Sequence, residues 1–241
     1  MFPGCNSLSS IAEEFFETHS EFLKEIIVLQ EQRQFNLLKK ISDDKNEINF
    51  FSWLAEVRFG LFFDKISRVL KNDHLIEGKT PDWILEMGDQ KIMAEVLRLN
   101  TSEEEYKSSI AKNRQVRKFQ KENPATPLVI KGTTKIISLE YLGGNQSKLV
   151  KKEETYRDII RKHELPFIIC VAPTIDTFLF ELDFADFLLG NKGFFMRCES
   201  FRRNVTGVLL NTPFGGFFYF HNAHADFQLL PENFGKMPIY V

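Results

Sequence analysis

The sequence predicts an α/β fold: a mixed central β-sheet flanked by helices, with a helical extension at the N-terminus. Three observations predict it. Phe167-Ile168-Ile169-Cys170-Val171-Ala172 is an unbroken apolar run, the pattern of a central strand covered on both faces. Residues 82–87 and 90–97 read as two strands joined by Gly88-Asp89. Long stretches at 8–42, 46–70 and 147–163 repeat apolar residues at helical spacing.

Residues 1–45 form the extension and 46–241 the main domain. In the extension, Ile11, Phe15, Phe22 and Ile26 follow a helical period, and Ser9 or Ser10 with Glu13 or Glu14 resembles a capping arrangement. This arm is read as an appendage, a homodimerisation element or a protein-partner arm. Asp43-Asp44-Lys45 lies in a polar break before the helix of Asn46 to Leu70. That helix carries Phe50, Trp53, Leu54, Val57, Phe59, Phe62 and Ile66, is apolar on most of its circumference, and is therefore expected to be buried. Glu56 sits inside its aromatic stripe, with Trp53, Phe59 and Phe63 at neighbouring helical positions. A buried carboxylate must be paired, hydrogen-bonded, protonated or metal-bound. An arginine from another element is one partner; Arg58, two residues away, points elsewhere on the helix.

In the hairpin, Gly88 at the first loop position suits a type II′ turn, which sets Met87 opposite Gln90 and Asp82 opposite Glu95. Opposed like charges on one face are destabilising, so the two carboxylates call for a cation or a proton. They are otherwise two solvated acids at an open hairpin end.

A helix from Thr101 to about Glu122 follows, capped by Ser or Thr with acids in its first turn. Arg114, Arg117, Lys118 and Lys121 fall on one of its faces, a surface that tracks phosphates or is simply solvated. Leu128–Ile130 and Lys135–Glu140 alternate like an exposed antiparallel pair. In the 147–163 helix, Lys152, Tyr156, Ile159, Ile160 and His163 share one face, so Lys152 lies on the apolar side, snorkelling from the core rim or drawn to acids. Asp183 to Leu189 is a short helix, Val205–Leu210 a buried strand and Gly216–Phe220 its partner; His221 to Val241 reads as loop. His221 and His224, without further His or Cys ligands, read as a chance pair.

The net charge of −2 excludes a nucleic-acid signature spread over the whole surface, so such contacts must come from local patches. Cys5, Cys170 and Cys198 are an odd, widely spaced set without metal spacing, which points to a reducing compartment. No segment is long and apolar enough to span a membrane, and the N-terminus lacks a basic region leading into an apolar one. A soluble, cytoplasmic protein without membrane contacts is expected.

The order of helix with Glu56, hairpin with Pro81-Asp82 and Glu95-Val96-Leu97, helix, strand, helix, strand resembles the PD-(D/E)XK nuclease superfamily, the restriction-endonuclease-like fold. Twelve residues separate Asp82 from Glu95. Leu54–Gly60 is similar to the family's first core helix, and Leu165–Ile169 and Phe184–Gly190 look like a bacterial branch of it. The resemblance covers roughly residues 46–240 and implies a Mg²⁺-dependent deoxyribonuclease, with a setting in bacterial defence and Mn²⁺ as a substitute metal. It implies Asp82 and Glu95 as catalytic acids and direct metal ligands, the carbonyl of Val96 as a further ligand, and Glu56 as an acid binding through water or a second ion. The family's lysine position is Leu97. Lys152-x-x-x-Tyr156 is similar in spacing to a helix motif that supports the site in some branches, and makes Lys152 the candidate catalytic cation; Arg98 points to the opposite face from Glu95. Arg114, Arg117, Lys118, Lys121, Lys148 and Lys151, with Arg202 and Arg203, would hold nucleic-acid phosphates. Leu97 also leaves room for a catalytically inactive relative that binds nucleic acid or a protein partner. A third reading is an α/β domain in which Glu56, Asp82 and Glu95 never meet.

Overall fold

The computed structural model describes residues 9–42, 46–99, 147–173, 181–212 and 216–241. The basic face of Arg114, Arg117, Lys118 and Lys121, the strands expected at 128–140, and Cys5 lie outside these residues.

Among the described residues, seven strands form one mixed sheet, ordered across it as they occur in the chain. β1 (Arg68–Asn72), β2 (Trp83–Met87) and β3 (Gln90–Leu99) are an antiparallel meander. β4 (Phe167–Pro173) runs parallel to β3, and β5 (Gly207–Asn211) parallel to β4. β6 (Phe217–His221) is antiparallel to β5, and β7 (Ile239–Tyr240) is parallel to β6.

Helices cover both faces. On one lie α1 (Ser10–Thr18), α2 (Ser20–Arg33), α3 (Lys39–Ser42) and α4 (Glu47–Ile66), and apolar side chains of α1, α2 and α4 share a core with Ile168, Cys170 and Ala172. On the other lie α5 (Lys148–His163), α6 (Glu181–Leu189), α7 (Phe194–Arg197) and α8 (Glu199–Asn204), packed with Phe167, Ile169 and Val171. Alternate residues of β4 thus enter two cores, which is why its sequence shows no polar positions.

Several boundaries differ from expectation. The stretch 8–42 is three helices, broken at His19 and again after Arg33, where Gln34 takes a left-handed conformation (φ 57°). The helix expected to reach Leu70 ends at Ile66: Ser67 is extended and β1 begins at once. A strand that follows a helix with one intervening residue leaves no turn signal to read. Residues 194–204 form two short helices, and the tail contributes a 3₁₀ turn (Pro231–Phe234) and β7 instead of loop alone. His163 is exposed and pairs with Glu77, at Nε2–Oε1 2.9 Å, instead of joining the apolar face.

One contact seats α4 on the sheet beside the candidate site. Trp83, fully buried at the start of β2, lies against Gly60, where a Cβ would stand 2.3 Å from its ring. Its indole N–H donates to the carbonyl of Glu56 at 3.2 Å. Only glycine allows this approach. The register of helix against sheet that results brings Glu56 to the end of β2 that Asp82 occupies.

Candidate metal centre

The hairpin pairs Trp83 with Ala94 and Met87 with Gln90, so Asp82, one residue before β2, falls opposite Glu95. Gly88 has φ 57° and Asp89 is not among the residues of positive φ, the pattern of a type II′ turn. The ladder does not continue through this pair. The Asp82 N–H donates to Glu95 Oε2 at 3.2 Å, and Asp82 Oδ2 accepts from the Val96 N–H at 2.7 Å. The Asp82 carboxylate is thereby fixed over the edge of β3, on the edge where the Val96 amide points. In an extended strand the N–H and C=O of a residue face the same neighbour, so the Val96 carbonyl opens to that edge as well.

In β1 the register shifts between Val69 and Lys71, and Asn72 then pairs with Trp83, next to Asp82. Asn72 Nδ2 donates both to the Asp82 carbonyl and to Glu56 Oε1, each at 2.9 Å, and the Asp73 N–H donates to the Asp82 carbonyl at 3.2 Å. Asp73 takes a left-handed conformation (φ 47°), which aspartate tolerates better than most residues. Glu56, Asp73 and Asp82 each bring a carboxylate oxygen within 4.8 Å of the others. Oxygen ligands at about 2.0–2.6 Å from a shared ion stand that close together, so this donor set fits Mg²⁺ or Mn²⁺. Glu95 flanks it on the Asp82 side.

Two lysines enter from opposite faces of the sheet. Lys152 of α5 ion-pairs with Glu95 Oε1, and the Glu95 side chain is only 5 % exposed. Lys40 of α3 ion-pairs with Glu56 Oε1 at 2.9 Å and also with Asp73. Glu56 therefore has a lysine and an asparagine as partners, where the aromatic stripe alone pointed to an arginine; Arg58 instead lies over the Phe22 ring, 5.8 Å from its centroid. One turn beyond Lys152 on α5, the Tyr156 hydroxyl donates to the Thr80 carbonyl at 3.0 Å, holding the segment that leads into Pro81-Asp82. Leu97, on the same face of β3 as Glu95, is packed in the second core.

The electrostatics follow from crowding. Burial, then the Glu95 and Glu56 carboxylates, push the Asp82 carboxyl well above its ordinary range, against the Val96 N–H and Lys152. Burial and Asp73 raise Glu56, with Lys40 and Asn72 opposing. Burial acts against the Lys40 ammonium, yet Glu56 and Asp73 together hold it above an ordinary lysine. Four carboxylates against two ammonium groups leave a formal excess of two negative charges, held in a partly desolvated place.

Of the phosphate-binding candidates that are described, Lys148 is half-buried, and burial together with Arg98 and Lys152 lowers its pKa; Lys151 is exposed. Arg203 is engaged by Asp226, Nη2–Oδ2 3.0 Å, away from the acids. Arg98 turns to the α4 side, donating to the Ile48 carbonyl at 3.1 Å and lying over Phe51. His221 is buried and His224 exposed, and neither belongs to a group of metal-ligand residues among those described. Sequence reasoning missed Asp73 and Lys40. Asp73 follows a strand hidden behind a helix, and Lys40 lies next to Lys39 with no pattern to separate the two.

No helix among the described residues is long and apolar enough to cross a membrane. In comparisons with known proteins, the chain matches no family model, no curated protein and no solved structure.

Proposed function

We propose that the chain is a metal-dependent nuclease of the restriction-endonuclease-like fold, hydrolysing phosphodiester bonds of DNA with Mg²⁺, for which Mn²⁺ substitutes. The observation that carries this reading is the convergence of Glu56, Asp73, Asp82 and Glu95 at the open end of one hairpin, with Lys152 on Glu95. The element order supports it: a buried helix, a three-stranded meander, a helix and a parallel fourth strand.

A divalent ion held by these carboxylates would supply an activated water and would neutralise charge developing on the phosphodiester. Asp82, Glu95, Glu56 and the Val96 carbonyl would hold it, joined by Asp73. Lys152 supplies the cation that Leu97 cannot. Its ammonium is positioned by Glu95 and by the burial of Tyr156 on the same helix face, and it stabilises negative charge where the scissile phosphate would approach. Lys148 and Lys151, in the first turn of the same helix, extend that positive surface towards DNA, and Arg114, Arg117, Lys118 and Lys121 are proposed to hold further phosphates.

The test is cleavage of linear and circular DNA by purified protein with Mg²⁺ or Mn²⁺. Activity is expected in the parent and absent in Asp82→Asn. A parent as inert as that variant on DNA and RNA overturns the reading. The inactive-relative alternative is favoured by Leu97 and predicts retained nucleic-acid or protein-partner binding with no cleavage.

A further inference from the structure

We propose that Glu77 is a positioning residue: it ties the connection between β1 and β2 to the last turn of α5, and so holds Asp73 and Asp82, at the two ends of that connection, in fixed relation to the helix that carries Lys152. The consequence for cleavage rests on the nuclease reading; the tie itself does not.

The connection is folded as a small hairpin of its own. At its base the Asp73 N–H donates to the Asp82 carbonyl at 3.2 Å. At its tip Ile76 and Lys79 exchange both backbone hydrogen bonds: the Ile76 N–H donates to the Lys79 carbonyl at 2.7 Å, and the Lys79 N–H to the Ile76 carbonyl at 2.9 Å. The two residues between them, Glu77 and Gly78, have φ of 49° and 80°, the pattern of a type I′ turn. Gly78 suits its place. The position of Glu77 favours Asn, Asp or Gly, and a glutamate is held there against its own backbone preference. A strained residue persists where its surroundings over-determine it, so the glutamate calls for a reason outside the turn.

That reason lies on α5. Glu77 Oε1 stands 2.5 Å from Lys162 Nζ and 2.9 Å from His163 Nε2, both in the last turn of the helix. The C-terminal end of a helix disfavours a carboxylate, so Glu77 is kept there by these two side chains, whose hydrogen bonds also draw its carboxyl below the ordinary glutamate range. A second attachment stands on the same side of α5: Tyr156, two turns before His163, donates to the Thr80 carbonyl at 3.0 Å. One attachment alone would leave a pivot; two, spaced along the helix, fix an orientation. Lys152 lies one turn further back on that side, in its ion pair with Glu95. The side of α5 that delivers the lysine is thus the side that grips the connection bearing Asp73 and Asp82.

The experiment is amide hydrogen exchange across residues 73–81 of the full chain, corrected for intrinsic rates, alongside the kinetics of DNA cleavage. Three variants are compared with the parent: Glu77→Gly, the pair Lys162→Ala with His163→Ala, and all three changes together. Glycine accepts the left-handed turn, so Glu77→Gly removes the carboxylate and the backbone cost at once. An exposed ion pair contributes little, so exchange at the Ile76 and Lys79 amides is expected to be about two- to fivefold faster in Glu77→Gly. The paired variant should match it, and the triple variant should be no faster than either, as for residues that act through one another. Turnover should fall with KM for DNA unchanged, because Glu77 positions the acids and does not meet the substrate. Exchange that is unchanged or slower in Glu77→Gly, or that speeds up additively in the triple variant, overturns the proposal. A parent that cleaves DNA and a Glu77→Gly that exchanges faster yet turns over equally overturn the positioning role. Faster exchange in both tether variants, with a parent that cleaves no nucleic acid, supports the tie and removes the nuclease reading.

Discussion

Lys152 and Glu95 form an ion pair between helix α5 and strand β3, although 57 positions separate them in the chain. The pair places an ammonium on the face of β3 that Leu97 shares, where Leu97 itself offers only packing. Lys152→Met therefore removes the ammonium that contacts Glu95. Removing a single preorganised charge donor costs about 10²–10³ in turnover. That loss is expected in steady-state cleavage by Lys152→Met, with Lys152→Arg intermediate. Leaving Glu95 buried without its partner should also lower stability, by roughly 1–3 kcal/mol in urea unfolding. Equal cleavage rates in parent and variant would remove Lys152 from the site.

Asp82 gives a pH-dependent prediction. Its folded carboxyl binds a proton more tightly than the unfolded one, because of burial and the Glu95 and Glu56 charges. Between its ordinary value and the raised one the native state holds more protons, so its contribution to stability falls as pH rises through that window. Asp82→Asn removes this penalty. In metal-free buffer near neutral pH the variant should be more stable than the parent. The gain should vanish at about pH 2.5, well below the ordinary aspartate value of about 3.9, where the parent carboxyl is protonated in both states. Saturating Mn²⁺ should reverse the order, because only the parent binds it well. Urea titrations at both pH values check the sign.

The parts of the site that depend on local rules were legible in the sequence, and those that depend on distant packing were not. A two-residue turn fixes register, so the opposition of Asp82 and Glu95 could be read directly. The helical period put Lys152 and Tyr156 on the inner face of α5. Asp73 was hidden because β1 follows α4 without a turn, and no residue type announces the register shift in β1 that sets Asn72 opposite Trp83. Lys40 was hidden because its target lies on another helix, and nothing in Lys39-Lys40 tells one lysine from the other. That β4 and β5 lie inside the sheet follows from their two apolar runs, whereas the order of all the strands does not; nor do the short helices after Gly193, since aromatic density alone carries no period.

Gly60 tests how the helix that carries Glu56 is seated. A glycine-to-alanine change inside a helix ordinarily stabilises by about 1 kcal/mol. Here the added Cβ would stand 2.3 Å from the Trp83 ring, closer than any real contact. Overpacking of this kind costs about 1–3 kcal/mol, so the steric term outweighs propensity. Gly60→Ala is expected to be less stable than the parent by denaturant unfolding, with altered Trp83 fluorescence and weaker Mn²⁺ binding. Stabilisation instead would mean that α4 can lift from β2 without loss.

Glu153 supplies the contrasting case of a buried acid with a purely structural role. It neighbours Lys152 but faces the other way, and its side chain is fully buried. Arg157 donates to it from Nε and Nη2, both at 2.8 Å, Ser200 Oγ donates at 2.8 Å and Asn204 Nδ2 at 2.6 Å, so α5 is pinned to α8. Burial works against the charged form, but Arg157, Ser200 and Asn204 prevail and lower its pKa. The linkage sign is opposite to that of Asp82: the stabilisation is present above the ordinary glutamate value and is lost as pH falls through the lowered one. Glu153→Ala leaves Asn204 and Ser200 without their acceptor. Breaking a buried pair costs about 3–5 kcal/mol, and the partial exposure of Arg157 brings the expected loss towards the lower end. That loss should shrink in acid, while the Mn²⁺ stoichiometry of whatever fraction remains folded stays at the parent value. A change in metal count would place Glu153 within the centre, against the direction its side chain takes.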